Sequence, residues 1–471
     1  MGVCFDFGFE RERSLSMKRS TLNRRTVLKA AAAAVAFPQV ASPRVLGAND
    51  QVKVAIIGLG GRAGGMFRET RRIQNLRIVD VCDCFRPRVK RFIASYGKGR
   101  GWKGYEDFRV MIEKEKPEGV MVETTTHARA WIVITAFQMG CDVYIEKPMC
   151  LTIAEGRYMV KAARKYRRIT QVGTQQRSIE LNNRASDMVK NGVIGKVHTV
   201  LAPNYVGPVK WKPMPPAPMP KDTSANWWDV WTNQAAMRPY HPQIHYGWAK
   251  WWAYDGGGLC FGVTGWGTHS YDQINRALGT DDTGPVEVWL EEPVRVMPAG
   301  KFTKPARPDD TGRPYHHMAK SVVGPRAKVR MRFANGTEVK LHLDGDHGPG
   351  LGAIFIGEKG RIEINRNLVS SEPKELTKDL KPTLPGEGRG TEYHVRNWLL
   401  GIASRKRCNA DIEIGQRATT LCYLVNIVRE VGKVGEKLRW DPENERFTNC
   451  EEANKLLDRE RRKGWELPPL T

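Results

Sequence analysis

The sequence predicts an α/β protein of two domains: an N-terminal domain built on a parallel sheet, then an α+β domain with a large open, mainly antiparallel or mixed sheet. Over residues 52–146, short apolar runs alternate with helical patterns, which is typical of βαβ units. After residue 176 the pattern changes to one helix and then strand-like segments such as 325–334 and 337–344. The 471 residues are too many for one compact core and fit two domains of ordinary size.

Composition excludes several classes of protein. With 41% hydrophobic residues, 27% charged residues and no apolar run of eighteen or more, the chain is expected to be neither disordered nor membrane-spanning. The net charge of +24 comes from dispersed Lys and Arg without a nucleic-acid-binding motif, so we expect a basic surface and no nucleic-acid partner. The nine cysteines are scattered and include no CxxC pair, so neither a metal site nor a disulfide framework is indicated.

Residues 1–48 are predicted to be an export signal rather than part of the fold. Paired arginines at 24–25 precede an alanine-rich stretch at 30–37, and this order resembles a twin-arginine signal. Residues 1–16 precede a second candidate start at Met17 and need not be translated. We therefore expect a periplasmic or otherwise exported protein that engages the twin-arginine machinery after folding. The alternative is an amphipathic N-terminal helix.

The first predicted strand leads into a dinucleotide-binding fingerprint. Residues 52–57 have the pattern of a buried parallel strand, the following turn matches G-x-G-x-x-A, and Met66–Ile73 continues with helical spacing. Glycines in such a turn let the backbone approach a pyrophosphate, and the helix N-terminus attracts its negative charge. This context indicates a Rossmann domain. The residues predicted to bind the cofactor here are Gly58, Gly60, Gly61, Arg62 and Ala63.

An acidic residue at the end of the second strand favours NAD as the cofactor. The apolar run 78–82 ends at Asp83, 25 residues beyond Gly58, where a carboxylate would bind the adenosine ribose hydroxyls. It would also repel the 2′-phosphate of NADP, although the nearby Arg86 and Arg88 keep NADP as the less favoured alternative. Asp83 could instead cap the next helix.

Further αβ repeats lead to the motif Glu-Lys-Pro at 146–148. Strands are predicted at 119–123 and 142–146, with a helix over 129–139 between them. The chain resembles the Gfo/Idh/MocA oxidoreductase family of sugar and cyclitol dehydrogenases, in particular exported members common in planctomycete-type bacteria, at 124–127, 146–148, 172–178, 256–272 and 394–415. The resemblance implies an NAD-binding Rossmann domain over 49–175. It also implies a substrate-binding and oligomerisation domain over 176–471, and a homodimer or homotetramer.

The same resemblance implies roles for the candidate site residues. Lys147 would contact the nicotinamide ribose and the substrate hydroxyl, from a loop fixed by a cis bond to Pro148. His269 would accept the hydroxyl proton, and Asp272, one helical turn on, would either orient it or form a local structural hydrogen bond. The other residues implied to contact the cofactor are Thr124, His127, Glu146 and Gln175.

Three positions depart from the family pattern. Thr125 stands where proline is usual, Arg129 replaces a second histidine, and Gly265 occupies the place of an aspartate that assists the catalytic histidine. The group that orients His269 must then come from elsewhere. The local candidates are Asp272, Asp255, Tyr271 and Thr264.

Tryptophan is concentrated in one part of the second domain. The flat faces of these side chains suit the C–H faces of a pyranose ring, whereas core packing is the alternative for most of them. We expect only one or two to contact substrate. The residues concerned are Trp227, Trp228, Trp231, Trp248, Trp251, Trp252 and Trp266.

Three hypotheses for function follow. The first is an exported NAD-dependent oxidoreductase, with tightly bound cofactor, that acts by hydride transfer on a hydroxyl of a sugar, sugar acid, cyclitol or glycoside. The second keeps the fold but cleaves a glycoside without net oxidation, through transient oxidation, elimination and reduction. The third is a non-catalytic sensor of sugars or dinucleotides, which the presence of both Lys147 and His269 disfavours.

Overall fold

The computed structural model describes residues 44–47, 50–258, 261–297, 324–343, 349–382 and 390–471. The predicted export signal at 1–48 therefore lies outside the described residues, apart from 44–47. Within the described ranges, no helix is long and apolar enough to cross a membrane.

The N-terminal domain contains a parallel sheet with helices after most of its strands. The strands are β1 (Val52–Ile57), β2 (Leu76–Cys82), β3 (Gly119–Val122), β4 (Asp142–Ile145) and β5 (Thr170–Val172). The helices are α1 (Gly61–Thr70), α2 (Arg86–Tyr96), α3 (Phe108–Glu115), α4 (Thr126–Gln138) and α5 (Ile153–Lys165). The strand order is β2-β1-β3-β4-β5 and each pair is parallel, which confirms the predicted Rossmann architecture.

The second domain is built on a larger mixed sheet. Its strands are β6 (Val197–Pro203), β7 (Pro285–Leu290), β8 (Arg295–Met297), β9 (Gly324–Arg326), β10 (Val329–Phe333), β11 (Glu338–Leu343), β12 (Ala353–Gly357), β13 (Gly360–Asn365), β14 (Leu368–Glu372), β15 (Leu438–Asp441) and β16 (Arg446–Phe447). The order is β14-β13-β12-β6-β11-β10-β7-β15-β16, with β8 and β9 paired separately. The β6–β11 pair is parallel and the other neighbours in this order are antiparallel, as predicted for a mixed sheet.

Helices cover one face of this sheet and leave the other face charged. The helices of this part of the chain are α6 (Glu180–Lys190), α7 (Trp227–Thr232), α8 (Pro242–His245), α9 (Trp266–Leu278), α10 (Thr391–Ser404), α11 (Ile412–Val431) and α12 (Glu451–Asn454). Residues from α6, α9 and α11 share one core with alternate residues of the strands, among them Val200, Met331 and Phe355. The strand residues that alternate with these core residues point to the opposite face, where Arg330 and Glu338 form an ion pair of 3.1 Å.

The chain returns to the first domain near its C-terminus. Val395 and Trp398 of α10 pack with Val54, Met121 and Tyr144 of the parallel sheet. Helix α10 therefore covers part of a sheet face beside α1, although it belongs to the segment predicted as second domain.

Element boundaries differ most at the glycine turn. Helix α1 begins at Gly61 and ends at Thr70, whereas the spacing predicts a helix over Met66–Ile73. Glycine disfavours helix formation, so the sequence pattern places the start too late. Burial of Ala63 and Phe67 against the sheet outweighs that cost and extends the helix back to the turn.

Candidate active site

The glycine turn at the end of β1 has open space beside it. Gly58 has φ of +90°, and a Cβ there would lie 2.8 Å from the Thr124 backbone nitrogen, so only glycine fits this close approach. A Cβ on Gly60 or Gly61 would meet no atom within 4 Å. Helix α1 starts here with no side-chain cap and no acidic residue in its first turn. Its free N–H groups and this open space fit the pyrophosphate of a dinucleotide.

Asp83 lies at the tip of β2 beside the same turn. Its carboxylate accepts hydrogen bonds from the backbone N–H groups of Leu59 at 2.8 Å and Phe85 at 2.9 Å. A carboxylate has further lone pairs, so these two bonds leave capacity for ribose hydroxyls. The guanidinium of Arg86 pairs with Glu106 at 2.6 Å, so it binds an acid other than Asp83. The position of Asp83 suits the adenosine ribose of NAD.

The end of β3 supplies buried polar atoms to the crevice. Among the described residues, the hydroxyl of Thr124 and both carboxylate oxygens of Glu123 have no hydrogen-bond partner. Burial, with a smaller contribution from Glu146, raises the pKa of Glu123 to about 8. Buried polar groups are normally bonded, so these atoms beside the glycine turn fit a bound molecule rich in hydroxyl groups. The donor set and the open turn together fit a dinucleotide cofactor.

Glu146 links the glycine turn to the candidate lysine. One carboxylate oxygen accepts from Nε of Arg62 at 2.6 Å, and the other from the backbone N–H of Lys147 at 3.0 Å. Burial opposes the charged carboxylate, but Arg62 and Lys147 reverse that effect and hold the pKa of Glu146 below its ordinary value. Gln175 donates to the hydroxyl of Tyr144 at 3.0 Å in the same region.

Lys147 follows β4 at the carboxyl edge of the parallel sheet. Its Nζ donates to the backbone carbonyl of Gly265 at 3.2 Å, and the bond to Pro148 is cis, as predicted. Arg129 stabilises the loop that carries Lys147, because its guanidinium donates hydrogen bonds to the carbonyl oxygens of Thr124 and Pro148. Burial lowers the pKa of Lys147, although Glu146 favours the charged form. Gly265, which lacks the expected carboxylate, thus supplies a carbonyl to the lysine.

His269 lies in the first turns of α9 with its ring buried. Nη2 of Arg366 is 3.4 Å from both ring nitrogens, so any hydrogen bond to the ring is long and weak. Burial first, then Arg366 and Lys147, lower the pKa of His269 well below its ordinary value. The imidazole is therefore neutral near pH 7 and able to accept a proton.

Asp272 is occupied by an arginine from another helix segment. Nε of Arg177 donates to its carboxylate at 2.8 Å, and the same guanidinium binds Asp281 at 2.6 Å. Burial raises the pKa of Asp272 to about 6 against the opposing effect of Arg177. The structure therefore joins Asp272 to Arg177 rather than to the ring of His269. The predicted role of Asp272 in orienting His269 stays a prediction. For the alternative, a structural hydrogen bond, Arg177 is the partner.

Of the remaining candidates for an orienting group, Asp255 and Thr264 bind each other, whereas the hydroxyl of Tyr271 has no hydrogen-bond partner among the described residues. Asp255 is buried and accepts from the hydroxyl groups of Thr126 and Thr264. The ring of Tyr271 packs against Tyr205 with 5.8 Å between centroids. The negative charge of Asp255 nevertheless favours the charged form of Lys147.

His127 lies in the first turn of α4 in aromatic surroundings. Its Nε2 is 2.8 Å from the backbone oxygen of Trp231, and its ring centroid is 4.9 Å from those of Trp231 and Tyr254. Burial lowers its pKa to about 3. The predicted contact between His127 and the cofactor stays a prediction, because the visible contacts are with the second domain.

Most of the tryptophans form a core rather than a cleft. Trp227, Trp228, Trp231 and Trp251 are buried in an aromatic cluster that Phe85 joins from the first domain. Trp248 and Trp252 are half-buried. Trp266 is different, because it begins α9 one turn before His269 and packs on Phe261 with 4.4 Å between centroids. It is the tryptophan of this set best placed for the predicted substrate contact.

Two site residues were missed by the sequence reasoning. Arg366 reaches His269 from the turn between β13 and β14, and Glu123 enters the crevice from β3. The Asn-Arg-Asn turn between two alternating segments indicates a hairpin, but nothing in the sequence relates that hairpin to His269. Glu123 continues an apolar strand, where a buried carboxyl is not expected.

Comparison with known proteins identifies the class. The model of an oxidoreductase family with an NAD-binding Rossmann fold matches residues 52–174, and that of the family's C-terminal alpha/beta domain matches 184–307 and 313–467. The chain belongs to this family, Gfo/Idh/MocA, which confirms the predicted family. Its first domain binds NAD.

The similarity to individual proteins is lower than 30% identity for two relatives. The chain is similar to the D-glucoside 3-dehydrogenase of Escherichia coli, 28% identical over 155 residues, which cover 33% of this chain and 43% of that protein. It is also similar to the glycosyl hydrolase family 109 protein 1 of Akkermansia muciniphila, 26% identical over 152 residues, 31% of this chain and 32% of that protein. The chain thus spans less than half the length of these relatives.

A solved structure supports the fold over a longer span. The WlbA dehydrogenase from Bordetella pertussis, determined in complex with NADH and UDP-GlcNAcA, superposes with a TM-score of 0.57 at 14% identity. The superposition covers 83% of this chain and 99% of that one. Both domains therefore share the architecture of that enzyme.

Proposed function

We propose that this protein is an NAD-dependent oxidoreductase that oxidises a hydroxyl group of a sugar, sugar acid, cyclitol or glycoside. The observation that carries this proposal is the convergence of Lys147 and His269 beside the glycine turn. Lys147 is bound to Gly265, the residue before α9, and His269 lies in the first turns of that helix. One wall of the crevice thus comes from the parallel sheet and the other from α9.

The oxidation needs the hydroxyl proton and a hydride from the same carbon to leave. Bound NAD supplies the hydride acceptor. Neutral His269 takes the proton, because burial and adjacent cations keep its ring unprotonated. Lys147 donates a hydrogen bond to the substrate oxygen, where negative charge develops as the proton leaves. Glu146 holds the backbone of Lys147 at 3.0 Å, so the ammonium is aimed from a fixed loop.

The direct experiment looks for the cofactor and then for its reduction. Purified protein is denatured to release and identify bound dinucleotide, and intact protein is mixed with a panel of sugars and cyclitols. We expect NAD to be released and the absorbance band of reduced nicotinamide to rise with at least one compound. Lys147→Ala should abolish that rise, whereas Lys161→Ala on the exposed face of α5 should not. Absence of dinucleotide, with no thermal shift on adding NAD or NADH, contradicts the proposal.

Export with the cofactor bound is a second part of the proposal. The twin-arginine pattern in residues 1–48 supports it, since that pathway carries folded proteins. A reporter fused to these residues should leave the cytoplasm, and Arg24→Lys with Arg25→Lys should retain it. An equally exported twin-lysine variant argues against this route.

Glycoside cleavage without net oxidation is the alternative reaction. Gly265 favours it, because the position where relatives carry an assisting acid here provides only a carbonyl to Lys147. The similarity to a family 109 glycosyl hydrolase points the same way. Release of the phenol from an aryl glycoside, with no accumulation of reduced nicotinamide, would favour cleavage. Stoichiometric accumulation would favour the dehydrogenase.

Self-association is proposed for the face of the large sheet that carries Arg330 and Glu338 and that none of the described helices covers. Trp289 lies on this face between cations, with Arg330 at 5.7 Å and Lys437 at 5.1 Å from its ring centroid. Light scattering of the purified protein should give the mass of a dimer or tetramer. Arg332→Glu on the same face should lower that mass, and an unchanged mass would place the interface elsewhere.

A further inference from the structure

We propose that Asp255 positions Lys147 for catalysis by holding two segments around the lysine: the loop that carries it and the carbonyl that its ammonium binds. This inference rests on the proposed oxidoreductase function and adds a positioning residue to its site. It starts from the carboxylate of Asp255, which is buried and accepts from Thr126 of the first domain and Thr264 of the second.

One oxygen of Asp255 fixes the carbonyl that Lys147 contacts. The hydroxyl of Thr264 donates to this oxygen. Thr264 directly precedes Gly265, whose carbonyl accepts from Nζ of Lys147 at 3.2 Å. The segment is also tied to the start of α9, because the backbone carbonyl of Thr264 accepts from the hydroxyl of Thr268 at 2.8 Å. A displacement of Thr264 would therefore move the acceptor of the ammonium.

The other oxygen of Asp255 reaches the loop on which Lys147 lies. It accepts from the hydroxyl of Thr126, and that hydroxyl also accepts from the guanidinium of Arg129 at 3.4 Å. Arg129 in turn donates to the backbone carbonyl of Pro148, the residue after Lys147. The contacts that begin at Asp255 therefore end on both sides of the lysine, one in each domain.

The carboxylate also brings negative charge to the ammonium. Both oxygens of Asp255 accept from hydroxyl groups, so its charge acts on Arg129 and Lys147 without a hydrogen bond to either. Because Gly265 carries no carboxylate, Asp255 brings an acid of the second domain to the lysine. The charged and titratable groups that interact electrostatically with Lys147 are Glu146, Asp255, Arg62, Arg366, His269 and Cys422.

Position and charge both matter to the oxidation step. Lys147 donates to the substrate oxygen as the hydroxyl proton leaves, so its ammonium must be charged and aimed at that oxygen. Asp255→Asn keeps the size of the side chain but removes the charge and replaces one acceptor oxygen by a donor. One of the two threonine hydroxyls then loses its acceptor.

The first measurement is the reactivity of Lys147, which needs no turnover. Full-length protein is acylated with acetic anhydride over a range of pH, and modification of half-buried Lys147 is read by mass spectrometry against exposed Lys161. Only the free amine reacts. Asp255 favours the ammonium, so Asp255→Asn should lower the pKa of Lys147 and move its midpoint to lower pH by about one pH unit. The profile of Lys161 should not move.

The second measurement is turnover of a compound that reduces the bound nicotinamide. Asp255→Asn should lower kcat about 10- to 100-fold with little change in KM, because the loss falls on the transition state. The alkaline limb of kcat should move to lower pH with the lysine. Thr264→Val removes only the hydroxyl link and should also lower kcat, whereas Thr264→Ser keeps that hydroxyl and should restore most of the rate.

A buried aspartate outside the site serves as the control. Asp142, at the opposite end of β4 from Lys147, accepts from the backbone N–H of Ile169 at 2.7 Å and pairs with Arg405. Asp142→Asn should lower stability to urea while leaving kcat and the Lys147 profile unchanged.

Two results would overturn the inference. One is a Lys147 profile that does not move in Asp255→Asn, and the other is a kcat that falls no further in Asp255→Asn and Thr264→Val than in Asp142→Asn. The two proposals fail separately. A displaced Lys147 profile without turnover of any compound contradicts the oxidoreductase proposal alone, whereas turnover with an undisplaced profile contradicts this inference alone.

Discussion

His269 and His127 are both buried histidines whose pKa lies below its ordinary value, yet the regions around them differ in kind. His269 lies at the start of α9 with Arg366 at 3.4 Å and within the field of Lys147. His127 lies in the aromatic cluster, with its Nε2 on the carbonyl of Trp231 at 2.8 Å. Burial is the largest cause of the lowered pKa in both.

The two histidines differ in the groups that contact their rings rather than in the direction of their pKa shift. The Nε2 of His127 is held by a backbone carbonyl, whereas its Nδ1 is buried without a hydrogen-bond partner among the described residues. Nη2 of Arg366 lies 3.4 Å from both nitrogens of His269, a long distance for a hydrogen bond, and its charge opposes protonation of the ring. Arginines oppose protonation of both rings, so neither the lowered pKa nor the presence of cations separates them; what distinguishes His269 is that the candidate lysine, Lys147, is among its cations.

The largest expected effect separates the two histidines by activity. His269→Asn should reduce kcat by about 1,000-fold, or about 4 kcal/mol, because it removes the proton acceptor while keeping a polar side chain. Affinity for NAD, measured by calorimetry, should stay near the wild-type value. His127→Asn should leave kcat nearly unchanged. Equal losses of kcat in the two variants would erase the distinction between the regions.

The second prediction concerns what supports α9. Asp272→Asn removes the charge that pairs with buried Arg177, and we expect a loss of about 3 kcal/mol in the free energy of unfolding. Activity below the unfolding transition and its pH profile should be unaffected. Urea denaturation provides the measurement. The half-buried pair of Asp187 with Arg276 at 2.7 Å is the control, because Asp187→Asn should cost less than about 1 kcal/mol.

A different result for Asp272→Asn would restore its predicted catalytic role. A large fall in kcat together with a displaced pH profile would mean that Asp272 orients His269 despite its bond to Arg177. A loss of stability alone would assign it to the structural ion pair.

The third prediction measures the packing role of His127. His127→Phe keeps an aromatic ring but leaves the carbonyl of Trp231 without its partner, so we expect a loss of about 1–2 kcal/mol in unfolding free energy. His198, an exposed residue of β6, is the control, since His198→Phe should change stability by less than about 0.5 kcal/mol. A weakened affinity for NAD in His127→Phe would instead support the predicted cofactor contact.

The sequence could place the residues along one wall of the crevice at strand ends because the determinants of those positions are local. The glycine turn, Asp83 and Lys147 each follow an apolar strand directly, and the carboxyl ends of parallel strands meet at one edge. The family resemblance then supplied His269, which no local rule distinguishes from His127. The helix boundary at Gly61 was wrong because propensity and packing act there in opposite directions.

The other wall depends on contacts that no local pattern encodes. Arg366 is separated from His269 by 97 residues, and Arg177 from Asp272 by 95. These pairs form only after the second domain's sheet brings its hairpin and helices together. The absence of an acid at Gly265 was visible in the sequence, but the bond from Lys147 to its carbonyl required the fold.

The smallest expected effect is a shift in pH dependence that links the histidine to its arginine. Because burial, Arg366 and Lys147 lower the pKa of His269, its neutral form persists as pH falls through about 6.5, the ordinary histidine value. The acid limb of kcat, measured with a neutral sugar substrate, should therefore lie well below that pH. Arg366→Gln removes one opposing cation, so the pKa should rise and the limb should move upward by roughly half to one pH unit. His127→Asn should leave the limb in place, and a limb near 6.5 in both wild type and Arg366→Gln would show that the cation does not act on the base.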